Sequence, residues 1–355
     1  MNLLVNIKKT LKNFTLTADF ETDEAILAIL GESGAGKSLL LKCIAGIETP
    51  DSGKIVLGGR ILFDSEKHIN LPPQKRKVGY LFQNYALFPN MTVEQNIKVT
   101  AKNPDSAAKY MNQFGLTGKE NCFPSFLSGG EQQRVALARL LASEPEVFLF
   151  DEPFSALDNH RKAELERLLL DLLEEKNLPA ILVTHDRNEA FRLSNKIAAM
   201  EKGTLARAQE KHIFFEKPKS LAEARLTGCK NATRIQLQDG KFFAVDWGIP
   251  LTFSEGNFPK FSVSHAAFRA HYFVPASSSE EENTFTCDIK RVIEDTFSFI
   301  ICFTQKGNAV NTKDSLLCWE VTKEQWKEIE ARAKSGTLCA RLDVSKLMLF
   351  EGESE

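Results

Sequence analysis

Short apolar runs alternate with helical patterns of hydrophobic residues through the first two thirds of the chain. The runs at 78–82, 147–150 and 180–183 are continuously apolar, as in buried strands of a parallel sheet. After Arg161, leucines recur at helical spacing, which predicts a helix that packs one leucine face on the sheet. The pattern therefore predicts an α/β core.

From about Asn231 the pattern changes to phenylalanine-rich runs with β alternation, such as Phe285, Cys287 and Ile289. We interpret this part as a second, smaller all-β domain. Residues 275–282 are rich in proline, serine and glutamate, and they predict an exposed loop. A short helical pattern that ends at Gly228 favours domain bounds of 1–230 and 231–355.

Length and composition agree with two cytosolic domains. At 355 residues the chain exceeds the usual single-domain size, and 45 basic against 47 acidic residues lack the basic excess typical of nucleic-acid binding. We therefore expect no nucleic-acid partner. No apolar stretch approaches the length of a membrane span, and the first residues do not form a secretory signal. The seven scattered cysteines favour reduced, structural thiols over a zinc site or a disulfide framework.

A glycine-rich loop between a predicted strand and a predicted helix carries the strongest chemical signal. The phosphate loop, residues 31–38, reads Gly31, Glu32, Ser33, Gly34, Ala35, Gly36, Lys37 and Ser38. In such a loop the glycines let backbone N–H groups turn toward phosphates, the lysine reaches the outer phosphates, and the serine hydroxyl holds Mg2+. The sequence predicts that the chain binds a nucleoside triphosphate with Mg2+.

Two acids, Asp151 and Glu152, follow the predicted strand at 147–150. Open α/β sheets bind ligands at the carboxyl ends of their strands, so both acids are expected to meet the phosphate loop. Asp151 would orient Mg2+ beside Ser38, and Glu152 would accept a hydrogen bond from the attacking water. The alternative is a strand followed by a solvated acidic turn.

Residues 127–132, the serine-glycine segment, precede a helical pattern that runs to about Ala142. This arrangement predicts a second anion-binding helix start with a free serine hydroxyl at Ser128. Taken alone, Ser128, Gly129 and Gly130 are equally typical of an N-cap with a flexible approach.

The order of these motifs, together with Gln83, Ser155 to Asp158 and His185, resembles the ATP-binding-cassette ATPases over residues 1–230. The resemblance implies a P-loop NTPase fold with a helical subdomain at about 86–130. It also implies that ATP is the nucleotide. In that family the phosphate loop of one subunit and the serine-glycine segment of a second close on the same nucleotide.

The resemblance also assigns roles to single residues. Gln83 would contact Mg2+ and the attacking water and signal toward a membrane partner, whereas its alternative is a polar strand end. His185 would contact the γ-phosphate, although a lone histidine there is often structural. Asp158 would link the two sites of the dimer, or it caps the helix beginning near His160. Phe14 is our candidate for stacking on adenine, and a core phenylalanine is the alternative.

ATP-binding-cassette ATPases of three classes could contain such motifs: exporters with fused membrane spans, soluble ATPases that act on DNA or ribosomes, and importers with a separate permease. The absent span disfavours the first, and the lack of a second cassette or a coiled-coil insertion disfavours the second. We therefore expect an importer ATPase that lies peripherally on the cytoplasmic face of the membrane. It would contact permease subunits through exposed aromatics of residues 84–89, and serve an external solute-binding protein indirectly.

Residues 11–16, 60–67 and 71–80 look like the molybdate subgroup of the molybdate and sulfate importer branch. The resemblance implies molybdate as the transported anion, with sulfate, tungstate or another solute left open. The second domain resembles the accessory, OB- or TOBE-like β domains of such importers. Arg269, His271 and Lys290 could bind an oxyanion there and regulate the ATPase, or they are ordinary surface groups.

Overall fold

The computed structural model describes residues 2–22, 26–155, 159–176, 179–238, 240–253, 262–308 and 312–352. Two compact units, Met1–His212 and Ile213–Glu355, make up the chain. The predicted boundary at residue 230 stays a prediction, and two short helices, Lys211–Glu216 and Leu221–Leu226, lie just before it.

The first unit contains twelve described strands and seven described helices, and an eighth helix begins at its end. The strands are β1 Leu3–Leu11, β2 Phe14–Thr22, β3 Ile26–Leu30, β4 Ser52–Leu57, β5 Arg60–Asp64, β6 Ile69–Asn70, β7 Val78–Leu81, β8 Val147–Asp151, β9 Ala180–Thr184, β10 Lys196–Glu201, β11 Thr204–Leu205 and β12 Gln209–Glu210. The helices are α1 Lys37–Ala45, α2 Pro73–Arg76, α3 Val93–Lys98, α4 Pro104–Gln113, α5 Gly129–Ala142, α6 Asn159–Lys176, α7 Arg187–Leu193 and α8 Lys211–Glu216.

All twelve strands join one sheet, in the order β6-β5-β4-β1-β2-β11-β10-β3-β9-β8-β7, with β12 beside β10. Strands β10, β3, β9, β8 and β7 run parallel to one another, whereas β1, β2, β4 and β5 pair antiparallel. The three strands predicted from continuous apolar runs are confirmed as β7, β8 and β9. The carboxyl ends of β3, β9, β8 and β7 therefore lie in a row at one edge of the sheet.

The apolar runs are continuous because the parallel strands are covered on both faces. In β8, Phe148 and Phe150 pack into one core cluster with helices α5 and α6, while Val147 and Leu149 pack into another with α1. The leucine face predicted for α6 is confirmed, because Leu165, Leu169, Leu172 and Leu173 are buried. Helices α3 and α4 lie within the segment predicted as a helical subdomain, which stays a prediction as a unit.

Among its described residues the second unit has two five-stranded antiparallel sheets, which agrees with the β-rich domain that the sequence predicted. Their orders are β15-β14-β13-β16-β22 and β17-β21-β18-β19-β20. The strands are β13 Asn231–Gln238, β14 Lys241–Ala244, β15 Ile249–Leu251, β16 Val263–Phe268, β17 Val274–Ala276, β18 Thr284–Glu294, β19 Ser298–Gln305, β20 Leu317–Thr322, β21 Cys339–Arg341 and β22 Met348–Glu351. The remaining helices are α9 Leu221–Leu226 and α10 Lys323–Ser335.

Two details of this unit differ from the prediction. Helix α10 was not predicted, and it packs on the sheets through Trp326 and Ile329. The loop predicted at 275–282 begins later than expected, because Pro275 and Ala276 belong to β17 and Ala276 is buried. Within the part of the chain that the structure describes, no helix has the length and apolar character needed to cross a bilayer.

Candidate functional site

The phosphate loop takes a backbone shape that requires glycine at three positions. Gly34 and Gly36 have φ of 83° and 105°, in the left-handed region that side chains disfavour. A Cβ on Gly31 would lie 2.4 Å from the carbonyl oxygen of Met200, on the neighbouring strand β10. The loop thus leaves β3 tightly against β10 and enters α1 at Lys37, the geometry that aims backbone N–H groups at an anion.

The Lys37 side chain folds back over this loop. Its Nζ donates hydrogen bonds to the carbonyl oxygens of Gly31 at 2.8 Å and Glu32 at 2.9 Å, and only 5% of the residue is exposed. Burial lowers the pKa of Lys37, while the nearby Glu152 and Asp151 act in the opposite direction. The ammonium therefore lies inside the loop, with acids of the next motif close enough to influence its charge.

Ser38 and Asp151 are in direct contact, as predicted. The Ser38 hydroxyl donates to Asp151 Oδ1 at 2.8 Å, and Asp151 is buried at the end of β8. These two oxygens therefore lie side by side, and hydroxyl and carboxylate oxygens are ligand types that Mg2+ accepts. The residues present therefore fit this ion.

Sequence reasoning missed Tyr80, whose hydroxyl donates to the other carboxylate oxygen of Asp151 at 2.8 Å. Burial and the adjacent Asp151 raise the pKa of Tyr80, so the phenol stays a donor. Tyr80 lies on β7, beside Leu149 of β8. The alternation of side chains in β7 could have predicted that Tyr80 and Val78 share one face of the sheet. The contact with Asp151 could not be predicted in this way, because it depends on β7 and β8 being neighbours.

Glu152, Gln83 and His185 lie close together beside this pair, and their roles stay predictions. Gln83 Nε2 donates to Glu152 Oε2 at 3.4 Å, and His185 Nδ1 lies 3.3 Å from Glu152 Oε1. The Glu152 backbone has φ of 48°, and its N–H donates to the Val183 carbonyl oxygen at 3.0 Å. A non-glycine residue held in this conformation is typical of sites where geometry serves function.

The serine-glycine segment lies apart from this group. Ser128 is the N-cap of α5, and its hydroxyl accepts from the Glu131 N–H at 3.4 Å, so the capping interpretation is confirmed. The predicted free hydroxyl is wrong in this single chain, because the Ser128 hydroxyl also donates to Glu131 Oε2 at 3.0 Å. Around Gly129 an added Cβ would meet no atom within 4 Å. Among the described residues, no hydrogen bond or ion pair joins residues 128–130 to the phosphate loop of the same chain.

A negatively charged side chain, Glu131, lies at the N-terminus of α5. Glu131 accepts hydrogen bonds from the Ser128 N–H at 2.8 Å and from Lys119 Nζ at 2.9 Å. These bonds, that from Lys119 foremost, lower the pKa of Glu131 to about 2. The carboxylate therefore offsets the positive end of the helix dipole, and Lys119 in turn offsets the carboxylate.

Helix α5 also holds the segment that follows Gln83. Arg139 donates to the carbonyl oxygens of Tyr85 at 2.8 Å and Ala86 at 2.9 Å, both of which have positive φ. The Arg139 guanidinium lies 5.4 Å from the centre of the Phe88 ring. Gln133 accepts from the Tyr85 hydroxyl at 3.5 Å and donates to the Pro153 carbonyl oxygen. One helix thus contacts both the 84–89 segment and the residue after Glu152.

The aromatics in residues 84–89 were predicted to be exposed, and this is correct for Phe88 but wrong for Tyr85. Phe88 is 44% exposed, but Tyr85 is buried in the core beside α5. The reason is the pair of left-handed residues, which turns Tyr85 inward. Only Phe88 of the two is therefore available at the surface.

Phe14 lies next to the phosphate loop. An added Cβ on Gly36 would come within 2.6 Å of Phe14 Cζ, and the ring also packs against the core on that face of the sheet. The residue lines an open cavity of about 700 Å³, together with Lys8, Thr17, Gly34 and Lys202. Phe14 thus lies where a group attached to loop-bound phosphates could reach it.

Asp158 lies outside the described residues. The preceding Ser155 donates to the Glu152 carbonyl oxygen at 3.1 Å. The residue after His185, Asp186, is the N-cap of helix α7. Its side chain accepts a hydrogen bond from the Asn188 N–H at 2.8 Å and forms an ion pair with Lys162 at 2.7 Å. These contacts fix the turn that carries His185.

Comparison with known proteins agrees with this geometry. The ABC transporter family model matches residues 13–155. The chain is 42% identical over 206 residues to the molybdenum import ATP-binding protein ModC of Haemophilus ducreyi, covering 57% of this chain and 59% of that protein. It is 35% identical to the sulfate/thiosulfate import ATP-binding protein CysA 2 of Agrobacterium fabrum, covering 72% and 76%.

Two further similarities bear on the substrate and on assembly. The molybdate/tungstate import ATP-binding protein WtpC of Methanocaldococcus jannaschii is 44% identical, over 63% of this chain and 75% of that protein. A solved ATP-binding cassette, a dimer in a post-hydrolysis state with ADP and Pi, is 27% identical with a TM-score of 0.51, covering 59% of this chain and 99% of that one.

The match spans about three fifths of the length of the Haemophilus ducreyi relative, and three quarters of the lengths of the other two. Two of these relatives are more than 30% identical to the chain over about three quarters of their own lengths, which shows the family. The chain belongs to the ATP-binding-cassette family of ABC transporter proteins.

Proposed function

We propose that the chain is the ATP-hydrolysing subunit of an importer, which powers uptake of an oxyanion through a separate membrane permease. The observation that carries the proposal is the meeting of five residues at the carboxyl edge of the sheet. A pair and a trio make up this group: Ser38 with Asp151, and Glu152 with Gln83 and His185. They come from four different motifs, and Asp151 and Glu152 lie near enough to Lys37 to influence its charge.

ATP binding rests on the phosphate loop. The N–H groups of residues 31–38 and the start of α1 would hold the β- and γ-phosphates, and Lys37 would exchange its two carbonyl partners for phosphate oxygens. Phe14 would face the adenine from the side of the loop. Ser38, Asp151 and Gln83 would hold Mg2+, which would neutralise charge on the phosphates.

Hydrolysis rests on Glu152. Its carboxylate would accept a proton from the water that attacks the γ-phosphate, while Gln83 and His185 hold the carboxylate and the water in line. The contacts already present, 3.4 Å and 3.3 Å, are long for hydrogen bonds, as is common before substrate tightens a site.

The site needs a second copy of the chain. Phosphoryl transfer requires donors on the far side of the γ-phosphate, and the phosphate loop covers only the near side. Ser128, Gly129 and Gly130 offer a hydroxyl, an open surface and a helix start, but they do not contact their own phosphate loop. We infer that they face the nucleotide of a partner copy, and that Asp158 lies between the two sites.

For the transported solute we propose molybdate first. Of eight similar proteins, four have names that specify molybdenum or molybdate with tungstate, two have names that specify sulfate and thiosulfate, and two have names that specify Fe3+ ions. The permease and an external solute-binding protein would select the solute. The chain itself would lie against the permease at the cytoplasmic face of the membrane, with Phe88 at the contact.

Replacing Glu152 by Gln tests the catalytic assignment. We expect Glu152→Gln to bind ATP as the natural chain does and to lose about two to four orders of magnitude in turnover, the usual range for a general base. Glu144→Gln is the matched control, because Glu144 is exposed and also has positive φ, 46°, outside the site. Turnover of Glu152→Gln near that of Glu144→Gln would contradict the assignment.

The solute is tested separately with the reconstituted permease complex. Its ATPase rate would be measured with solute-binding proteins loaded with molybdate, tungstate or sulfate. Molybdate is expected to stimulate most. Stimulation by sulfate alone would overturn the choice of anion while leaving the ATPase assignment in place.

A further inference from the structure

Two cysteines of the second unit lie directly opposite each other on neighbouring antiparallel strands. Cys302 of β19 pairs in register with Cys318 of β20, between the pairs Ile301 with Trp319 and Phe303 with Leu317. Those flanking residues point into the core. Since side chains alternate between faces, Cys302 and Cys318 share the opposite face of the sheet.

The side chain of Asn231 reveals which kind of strand pair they form. Asn231 Oδ1 accepts from the Cys318 N–H at 2.6 Å, and Asn231 Nδ2 donates to the Cys318 carbonyl oxygen at 2.9 Å. Both backbone groups of a strand residue point to the same side. Those of Cys318 therefore point to Asn231, away from Cys302, and the two cysteines form a non-hydrogen-bonded pair.

That pair type brings the two thiols within bonding reach. Its Cα atoms are about 4.5 Å apart and its Cβ atoms about 4.5–5.5 Å. A disulfide needs Cα atoms at about 4.4–6.8 Å and Cβ atoms at about 3.5–4.5 Å. The Cα separation already meets the requirement of a disulfide. The Cβ separation meets it when the two Cβ atoms approach each other by about 1 Å, a small local shift of two neighbouring strands.

We propose that Cys302 and Cys318 are a site of thiol–disulfide exchange that takes up a low-molecular-weight disulfide such as oxidised glutathione and closes into a cross-strand disulfide. The Cys318 thiolate attacks one sulfur of the small disulfide, and one small thiol leaves. The Cys302 thiolate then attacks the Cys318 sulfur, and the second small thiol leaves. Two protein thiols are oxidised to one disulfide, and one small disulfide is reduced to two thiols.

Access sets the order of these two attacks. Cys318 is half-buried, whereas Cys302 is 7% exposed, so the small disulfide meets Cys318 first. Burial and the adjacent Cys302 raise the pKa of Cys318 to about 11, and Lys230 lowers it slightly. Arg291 pairs with Cys302 from the other side. Since the thiolate is the nucleophile, the exchange accelerates as the pH rises toward 11.

The other described cysteines compete poorly for the reagent. Cys43, Cys229, Cys287 and Cys339 are buried, and Cys122 is half-buried but belongs to no paired strand. Cys122 is therefore a suitable control, because it has exposure comparable to Cys318 and no cysteine opposite.

The test treats the full chain with oxidised glutathione at pH 8.5 and counts free thiols after denaturation. We expect two of the seven thiols to be lost and the tryptic peptides 292–306 and 314–323 to be joined. Cys302→Ser is expected to stop at a glutathione adduct on Cys318, and Cys122→Ser to form the crosslink normally. The crosslinked chain should also unfold at a temperature several degrees higher, because the closed loop restricts the unfolded state.

Several results would overturn the proposal. They are retention of all seven thiols, a crosslink between other cysteines, or a loss of two thiols in Cys302→Ser. A cooperative unfolding transition of each variant, recorded in parallel, ensures that a folded chain is compared. A glutathione adduct on Cys318 of the natural chain that never closes would also refute it, since the strand pair is then too wide.

Discussion

At the scale of single residues, the Phe14 ring lies where any side chain on Gly36 would have to go. An alanine Cβ there would lie 2.6 Å from Phe14 Cζ, and φ is 105°. We expect Gly36→Ala to lower the free energy of unfolding by about 1–3 kcal/mol more than backbone strain alone, because the ring must move. Urea unfolding measures the effect.

Gly34→Ala is the control, because its φ is 83° and an added Cβ meets nothing within 4 Å. Gly34→Ala should lower the free energy of unfolding only by the energy of placing alanine in the left-handed conformation, about 1–2 kcal/mol. In a Phe14→Ala background the two variants should become nearly equal. A difference that persists without the ring would contradict the contact.

The charge of Glu131 predicts a pH dependence of stability. Its folded-state pKa is about 2, below the ordinary 4.5, owing to hydrogen bonds from Lys119 and Ser128. The stabilisation is therefore complete above pH 4.5 and is lost as the pH falls toward 2. We expect the difference in urea midpoint between the natural chain and Glu131→Gln to shrink over that range. A difference that is constant with pH would contradict this.

The site residues differ in how well the sequence reveals them. Ser38, Asp151 and Glu152 lie in short motifs at strand ends, so local sequence predicted that they lie close together. Gln83 and His185 were assigned to the site only through the resemblance to the ATP-binding-cassette ATPases. Tyr80 was missed because its contact with Asp151 depends on which strands are neighbours. The inward turn of Tyr85 depends on two left-handed residues, neither of them glycine, and no propensity signals these.

At the scale of elements, helix α5 connects three functional segments. It begins at the serine-glycine segment, binds the Pro153 carbonyl oxygen through Gln133, and binds the carbonyl oxygens of Tyr85 and Ala86 through Arg139. A shift of the 84–89 segment by a permease would therefore act on α5 directly. If the proposed function holds, this contact route would couple transport to closure of the site.

Replacing Arg139 by Lys tests that contact. A lysine keeps the charge but cannot donate to two carbonyl oxygens in a fixed geometry. We expect roughly tenfold faster hydrogen exchange of the amides at 84–88, because hydrogen bonds from a charged donor contribute about 1.5–3 kcal/mol. Arg167→Lys, on an exposed position of α6, should change nothing there. Unchanged protection in Arg139→Lys would show that other contacts hold the segment.

Hydrophobic patterns predicted the elements that lie against large areas of core, and helix α10 is one that they missed. The strands at 78–82, 147–150 and 180–183 are continuously apolar because both of their faces are covered, and the helix after Arg161 is periodic because its leucine face is buried. Helix α10 has a Thr322 capping box, but only Trp326 and Ile329 of its thirteen residues are buried. Its apolar stripe is too narrow to stand out among charged residues.

At the scale of the whole molecule, the proposed catalytic site would be complete only in an assembly of two chains. The phosphate loop and the acids meet within one copy, while residues 128–130 remain apart from them. Sequence patterns place each half of such a site but not the partner that completes it. The near-balance of 45 basic and 47 acidic residues gives no strong repulsion between copies.

The most direct test is the sedimentation of Glu152→Gln with and without Mg2+ and ATP, since this variant should retain the nucleotide. We predict that ATP doubles the sedimenting mass. We also predict that adding Ser128→Glu keeps ATP binding but abolishes the dimer, because a carboxylate would face the partner's γ-phosphate. A chain that stays monomeric when saturated with ATP, or a Ser128→Glu variant that still dimerises, would contradict the shared site.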